Sequence, residues 1–307
     1  MDRKKIYTMR KTGIVWVLLL HAAIMHAESV FEFGVHGGAA LLDAKTEYVV
    51  PQIGGHGGIQ VYYNFLSSEV FGFRTGLTLD MHVTSIGKAN YTDHYSTIDK
   101  DNEQMDIDYS IGRLNERYQS WSVGIPVQLA LTTHRFSILF GPKVVFPLSC
   151  TWQQEVQHAA LSVYYPQYDN RVEESFPLAA SRDFDMQQSG TIALPKVQWW
   201  LSAELSYAIP IENWSSRIRT YLMLGAYADY CLTRYSPTPS DAESLIMLSD
   251  TRDGIPLQRL LTSVMQANRS GNALVRSCAP LDAGIKISIG IAPYDPHRNA
   301  KKSCNCL

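Results

Sequence analysis

Residues 196–209 read Lys-Val-Gln-Trp-Trp-Leu-Ser-Ala-Glu-Leu-Ser-Tyr-Ala-Ile. One parity holds Val197, Trp199, Leu201, Ala203, Leu205, Tyr207 and Ile209; the other holds Gln198, Trp200, Ser202, Glu204, Ser206 and Ala208. A period of two belongs to a strand with unlike faces. On a helix the same apolar positions would spread around the whole circumference and leave no stripe to bury. The stretch is therefore a strand that meets two different media.

The pattern recurs. Residues 279–292 set Ile285, Ile287, Ile289 and Ile291 against Asp282, Gly284, Lys286, Ser288 and Gly290. Residues 70–85 set Phe71, Phe73, Leu77, Leu79, Met81 and Val83 against Gly72, Arg74, Gly76, Thr78, Asp80 and His82. Weaker versions occupy 30–42, 54–66, 116–132, 135–148 and 217–232, which makes eight segments. Short links (near Ser67 and Ser68, near Thr133 and His134, and 210–216) alternate with long ones (43–53, 86–115, 149–195 and 233–278). That alternation is the signature of an outer-membrane barrel with turns in the periplasm and loops outside. The expected fold is all-β: an eight-stranded antiparallel up-and-down transmembrane β-barrel with short periplasmic turns and long extracellular loops.

Composition agrees. The chain has 307 residues, 46% hydrophobic and 18% charged, which excludes a disordered chain, a collagen repeat or a disulfide miniprotein. No run of about 20 apolar residues follows the first thirty positions, so no helical span is expected after them. Before them, Arg3, Lys4, Lys5, Arg10 and Lys11 lead into an apolar run over 14–25 that ends at Met-His-Ala. This is the three-part form of a secretory signal, expected to be cleaved after Ala27. Residues 28–294 then form the barrel domain and 295–307 a polar tail. Without residues 1–27 the chain carries 22 basic against 28 acidic residues, which argues against nucleic acid as a partner.

A soluble lipocalin-like barrel shares the period but turns its apolar face inward. Its solvated face should be rich in Lys and Glu. Here the polar face is mostly Gly, Ser, Ala, Gln and Thr, as suits a narrow, filled lumen. The lumen charges expected are Glu32, Arg74, Asp80, Lys143, Glu204, Arg219, Asp229, Asp282 and Lys286, and a lone buried charge is costly, so they should pair and close the bore. Tyr63, Phe65, Phe71, Trp121, Tyr207 and Trp214 are expected in a periplasmic aromatic girdle. The glycine pairs at 37–38, 54–55 and 57–58 read as curvature and close packing, not as a phosphate cradle.

Residues 118–131, Tyr-Gln-Ser-Trp-Ser-Val-Gly-Ile-Pro-Val-Gln-Leu-Ala-Leu, and 136–148, Phe-Ser-Ile-Leu-Phe-Gly-Pro-Lys-Val-Val-Phe-Pro-Leu, form a pair around a tight turn. The pair resembles the Ile/Leu-Pro and Gly-Pro strands of the small PorT-type outer-membrane barrels of Bacteroidetes. That resemblance, specific over about 30 residues, implies a non-enzymatic outer-membrane protein, some relatives of which serve the secretion machinery of that phylum. Other relatives carry a peptidoglycan-binding domain after the barrel. With about 15 residues beyond the eighth segment, none is expected here.

Signals for chemistry are sparse. Cys231 and Cys278 end and begin neighbouring strands at the outer rim, so a disulfide closing the fourth long link is a candidate, with two free thiols as the alternative. Cys304-x-Cys306 has no histidine partners, and the remaining histidines lack metal-ligand spacing, so no metal and no cofactor are expected. Asp93-His94-Tyr95-Ser96 is the one string that could seat an outer-membrane lipid hydrolase. Within the fourth link, Leu257, Leu260, Leu261, Val264 and Met265 fall at helical spacing and predict a helix over 255–268 that caps the mouth or binds a partner. The expected partners are outer-membrane lipid around the wall and a protein at the extracellular loops.

Overall fold

The computed structural model describes residues 28–66, 70–98, 102–133, 135–172, 183–215, 218–236, 244–249, 258–269 and 272–293. The signal segment, the tail with Cys304 and Cys306, and Trp214's side chain lie outside them. Eight long strands follow one another: β1 (Glu28–Lys45), β2 (Val50–Leu66), β3 (Phe71–Ile98), β4 (Gln104–Thr133), β5 (Phe136–Tyr165), β6 (Gln198–Ser215), β7 (Ile218–Cys231) and β8 (Ser277–Pro293). Each pairs antiparallel with the next, and β8 returns to β1, with Phe31 opposite Ile291 and Lys45 opposite Ser277. The ring leaves no open edge, which is the condition for a sheet to stand in lipid.

Which face points out decides the medium. Ile285, Ile287, Ile289, Leu205, Phe73, Leu129 and Ile138 are exposed on the outer wall, while Glu32, Arg74, Asp80 and Lys286 are buried inside. That inversion removes the soluble lipocalin-like alternative: an exposed apolar belt around a closed ring fits hydrocarbon, not water. On β4 the belt runs from Trp121 to Leu131. Ten strand steps tilted by roughly 40° span about 25 Å, the height of the apolar band of outer-membrane barrels. Beyond it the outward positions turn polar: Gln119 faces Thr151 and Arg117 faces Gln153. At the turn end, Phe31 meets Tyr63 at 4.6 Å, Tyr63 meets Phe65 edge-on at 4.2 Å, and Phe136 meets Tyr207 at 4.7 Å. Trp121 is not part of that girdle. Paired with Met81 and Ser149, it marks the opposite boundary.

The second and third long links are not loops for most of their length. β3, β4 and β5 continue beyond the belt, to Ile98, from Gln104 and to Tyr165. Two local devices turn their apolar side inward once lipid is left behind. The first is a bulge: Trp121 pairs with Ser149 and Ser122 with Pro147, so Leu148 is an extra residue. An extra residue shifts side-chain parity by one, and the even positions of β5 pass from outward Phe146 and Leu148 to inward Cys150, Trp152 and Val156. The second is a row across three strands, Asn90, Gly112 and His158. Asn90 and His158 adopt left-handed backbone, φ 52° and 54°, and beyond them Tyr91, Tyr109 and Leu161 face inward.

The result is a second, apolar core outside the membrane band. The fourth link fills it: Leu245, Ile246, Leu261, Val264, Met265, Leu274 and Val275 are buried against Ile86, Ile107, Ile111, Leu114 and Val156. The helix expected over 255–268 does not form among the described residues. Gln258–Leu261 is a strand paired with Ile246–Ser249, followed by a turn at 264–266 and the small hairpin of Asn268–Arg269 with Asn272–Ala273. Leu261, Val264 and Met265 are buried while Leu260 is exposed, and Leu257 lies outside the described residues; backbone pairing inside a β cap outweighs their helical spacing.

Candidate functional site: a sealed lumen under an extracellular cap

Inside the ring the long polar side chains stack in layers. In the lower layer Arg74 forks onto Glu204, with Nη1 2.9 Å from Oε1, and its Nε donates to Gln128 Oε1 at 2.8 Å. Lys286 lies between Glu204 and Glu32, 2.9 Å from the latter, and Ser288 donates to the same Glu32 oxygen at 2.6 Å. The Tyr62 ring packs 4.3 Å from the Arg74 guanidinium carbon. In the middle layer Lys143 bridges Asp80 at 2.9 Å and Asp229 at 3.2 Å, while Ser202 ties Asp229 to Gln128. Small residues make the room: a Cβ on Gly124 would stand 2.5 Å from Lys143 Cε, and one on Gly58 would stand 2.3 Å from the Leu79 carbonyl and 2.8 Å from Asp80 Oδ1.

Eight of the nine expected lumen charges, Glu32, Arg74, Asp80, Lys143, Glu204, Asp229, Asp282 and Lys286, are thus buried in this stack or just above it. Arg219 shares their parity but sits half-buried at the periplasmic mouth, opposite Ala292.

Above the lysine lies a histidine layer that the sequence spacing conceals. His36, His56 and His82 come from β1, β2 and β3. His56 pairs directly with His82 across the ladder, their rings stacked at 5.5 Å, and His36 is 5.9 Å from His56. His36 reaches Asp80 at 2.9 Å, His82 reaches Asp282 at 2.7 Å, and His56 bonds to the Tyr227 hydroxyl. The missed signal is parity: all three occupy inward positions of adjacent strands, although they are far apart in sequence. Among the described residues no set of three His, Cys, Asp or Glu side chains is arranged to hold a metal ion.

Next comes the boundary with the cap. Cys150, Cys231 and Cys278 are buried free thiols. The candidate Cys231–Cys278 disulfide is not formed, and register gives the reason: Leu281 pairs with Tyr230 while Cys278 bridges to Tyr235, so the two cysteines are not opposite each other. Cys231 donates to the Thr233 carbonyl at 3.3 Å; Cys278 instead lies 3.9 Å from Met265 Sδ. A small cavity of about 80 Å³ lies here, between His82 and Trp200 below and Met265 above.

On the cap, a wider cavity of about 480 Å³ is lined by Asp93, His94, Asp108, Ser110, Ser162 and Arg269 among others. Asp93 is fixed by the hydroxyls of Tyr91 and Tyr109, at 3.1 and 3.2 Å, and by Arg269 at 3.5 Å, which stacks on Tyr48. Burial first holds the Tyr91 and Tyr109 phenols above their ordinary range; Tyr109 and then Asp93 add to it at Tyr91, and Asp93 adds to it at Tyr109, so both remain donors. The hydrolase string is not assembled. Strand alternation puts Asp93 and Tyr95 on the buried side and His94 and Ser96 on the exposed side. Ser96 donates to Asp106 at 2.6 Å, not to a base, and the Asp93 carboxylate accepts from the His94 backbone rather than its ring.

No protein-family model and no curated protein matches the chain. Among solved structures it is similar to Ail, the attachment invasion locus protein of Yersinia pestis, at 8% identity over 87% of this chain and 99% of that one, with a TM-score of 0.25. The same protein in complex with the heparin analogue sucrose octasulfate gives 0.24, with the same identity and coverage. A Pseudomonas aeruginosa FadL homologue aligns at 7% identity over 87% of this chain and 90% of that one, with a TM-score of 0.18. At such scores these overlaps carry no weight beside the strand pairing itself.

Proposed function

We propose that the protein is a non-enzymatic barrel of a Gram-negative outer membrane, exported by residues 1–27, which acts through its extracellular cap as an interaction or secretion and assembly accessory element. One observation carries this reading: the bore is filled by buried, mutually paired charges, while among the described residues the folded material beyond the lipid belt lies at one end of the ring. A sealed wall has nothing to conduct, so the cap is the part left to meet other molecules. The resemblance of 118–148 to PorT-type barrels supports the accessory role.

Fractionation of expressing cells tests the location. The protein should stay with membranes through alkaline extraction, dissolve in detergent and migrate faster before boiling than after. In planar bilayers it should give no steady conductance. Recovery in the aqueous phase, or a stable open channel, would refute the proposal. The accessory role is tested by crosslinked purification from native envelopes, comparing the full chain with one whose fourth link is replaced by a short turn. Partners lost with the link support the role; identical recoveries from both reject it.

A further inference from the structure

Glu116 is fully buried above the lipid belt and makes no salt bridge among the described residues. Its carboxylate is met from two directions. From the wall, Gln154 Nε2 donates to Oε2 at 2.9 Å. From the fourth link, the Val264 N–H donates to Oε2 at 2.7 Å and the Ser263 hydroxyl is hydrogen-bonded to Oε1. Gln154 also donates to the Thr262 carbonyl at 3.2 Å, so one wall residue and one carboxyl hold three consecutive link residues. The held segment is a closed turn, in which Gln266 and Ala267 N–H groups bond to the Ser263 carbonyl at 2.8 and 2.9 Å. Met265, at the tip of that turn, forms the roof of the 80 Å³ cavity over His82, Trp200 and the Cys150 and Cys278 thiols.

We propose that residues 262–267 are a lid on the extracellular mouth of the barrel, latched by the protonated Glu116 carboxyl and released when that carboxyl ionises. The physical asymmetry is plain. A neutral carboxyl keeps every contact, accepting the two N–H groups at Oε2 and turning its own O–H from Oε1 to the Ser263 oxygen, whereas a buried carboxylate without a cation gains by reaching water. Among the described residues, the titratable groups facing Glu116 are Tyr118 on its own strand and Cys150 on β5; β3 places Ile86 opposite it, and the described part of the link offers Ser263 and backbone. None of these supplies a positive charge. Burial accordingly pushes Glu116 up to about 7, against the opposing pull of its donors. A folded value raised above the ordinary 4.5 means that latch stability is complete below pH 4.5 and is lost as pH rises through about 7. The latch is independent of what the cap binds.

Hydrogen exchange by mass spectrometry on the refolded full chain in detergent tests the lid. After correction for intrinsic exchange, protection of peptides covering 262–267 should fall at least about tenfold between about pH 5.5 and about pH 8.5, while peptides of the lumen strand β8 stay level. In Glu116→Gln the fall should vanish, because the neutral amide cannot ionise. A pH-independent wild type, or an equal fall in Glu116→Gln, overturns the proposal. Should that variant not fold, the infrared carbonyl band of buried protonated carboxyls in the wild type decides: its loss must track the loss of protection, and separate midpoints reject the latch.

Discussion

Replacing Arg74 by alanine is expected to destabilise the folded barrel by about 3–5 kcal/mol, read as a lower urea midpoint for the heat-modifiable form in detergent. Arg74 is 1% exposed and provides the two-pronged partner of Glu204, with Glu32 a further 3.7 Å away. Removing it leaves Lys286 to neutralise two buried carboxylates. The cost is that of an uncompensated buried charge, not of a surface pair, and it should change little with added salt. Arg74→Leu combined with Glu204→Leu should recover most of the loss, since removing both charges also removes their desolvation. A single variant within about 0.5 kcal/mol of wild type would mean a hydrated lumen, contrary to the packed stack.

Arginine at Ile287 is expected to cost about 2–4 kcal/mol, because the outward wall there faces the middle of the hydrocarbon. Ile287 is 48% exposed and stands opposite Leu224 and Val35, halfway along the apolar run of β8. The same substitution at Ile291, opposite Thr220 near the periplasmic mouth, should cost about 0–1 kcal/mol. Folding into bilayers by the two variants, compared with alanine at each site, checks the depth dependence. A protein with that face in water would tolerate both within about 0.5 kcal/mol.

These two residues also show what a linear reading can reach. Arg74 and Ile287 sit in uninterrupted alternation, where parity alone separates lumen from lipid. Tyr109 and Trp152 sit beyond the point where parity changes sides, and the change is made by one unpaired residue, Leu148, and by left-handed backbone at Asn90 and His158. The bulge at Leu148 has one local mark, the neighbouring Pro147, which has no N–H to give the ladder. Its effect is legible only when the partner strand is known, so the extended strands pass for long polar loops. The histidine layer was hidden for a related reason: parity aims each ring inward, but only the register of β1, β2 and β3 brings them to one level. In the fourth link, Leu261, Val264 and Met265 satisfy a helical period and a buried β cap equally well. The Cys231–Cys278 pairing required a register that the chain does not adopt.

Spin labels placed singly at residues 285–291 of a cysteine-free protein in bilayers test the division of the wall into lipid and lumen faces most directly. Labels at Ile285, Ile287 and Ile289 should collide freely with oxygen, which concentrates in hydrocarbon, and poorly with a water-soluble nickel chelate. Labels at Lys286, Ser288 and Gly290, which point into the packed bore, should be shielded from both. Nickel access at the odd positions, or free oxygen access at the even ones, would contradict a closed, filled barrel standing in a membrane.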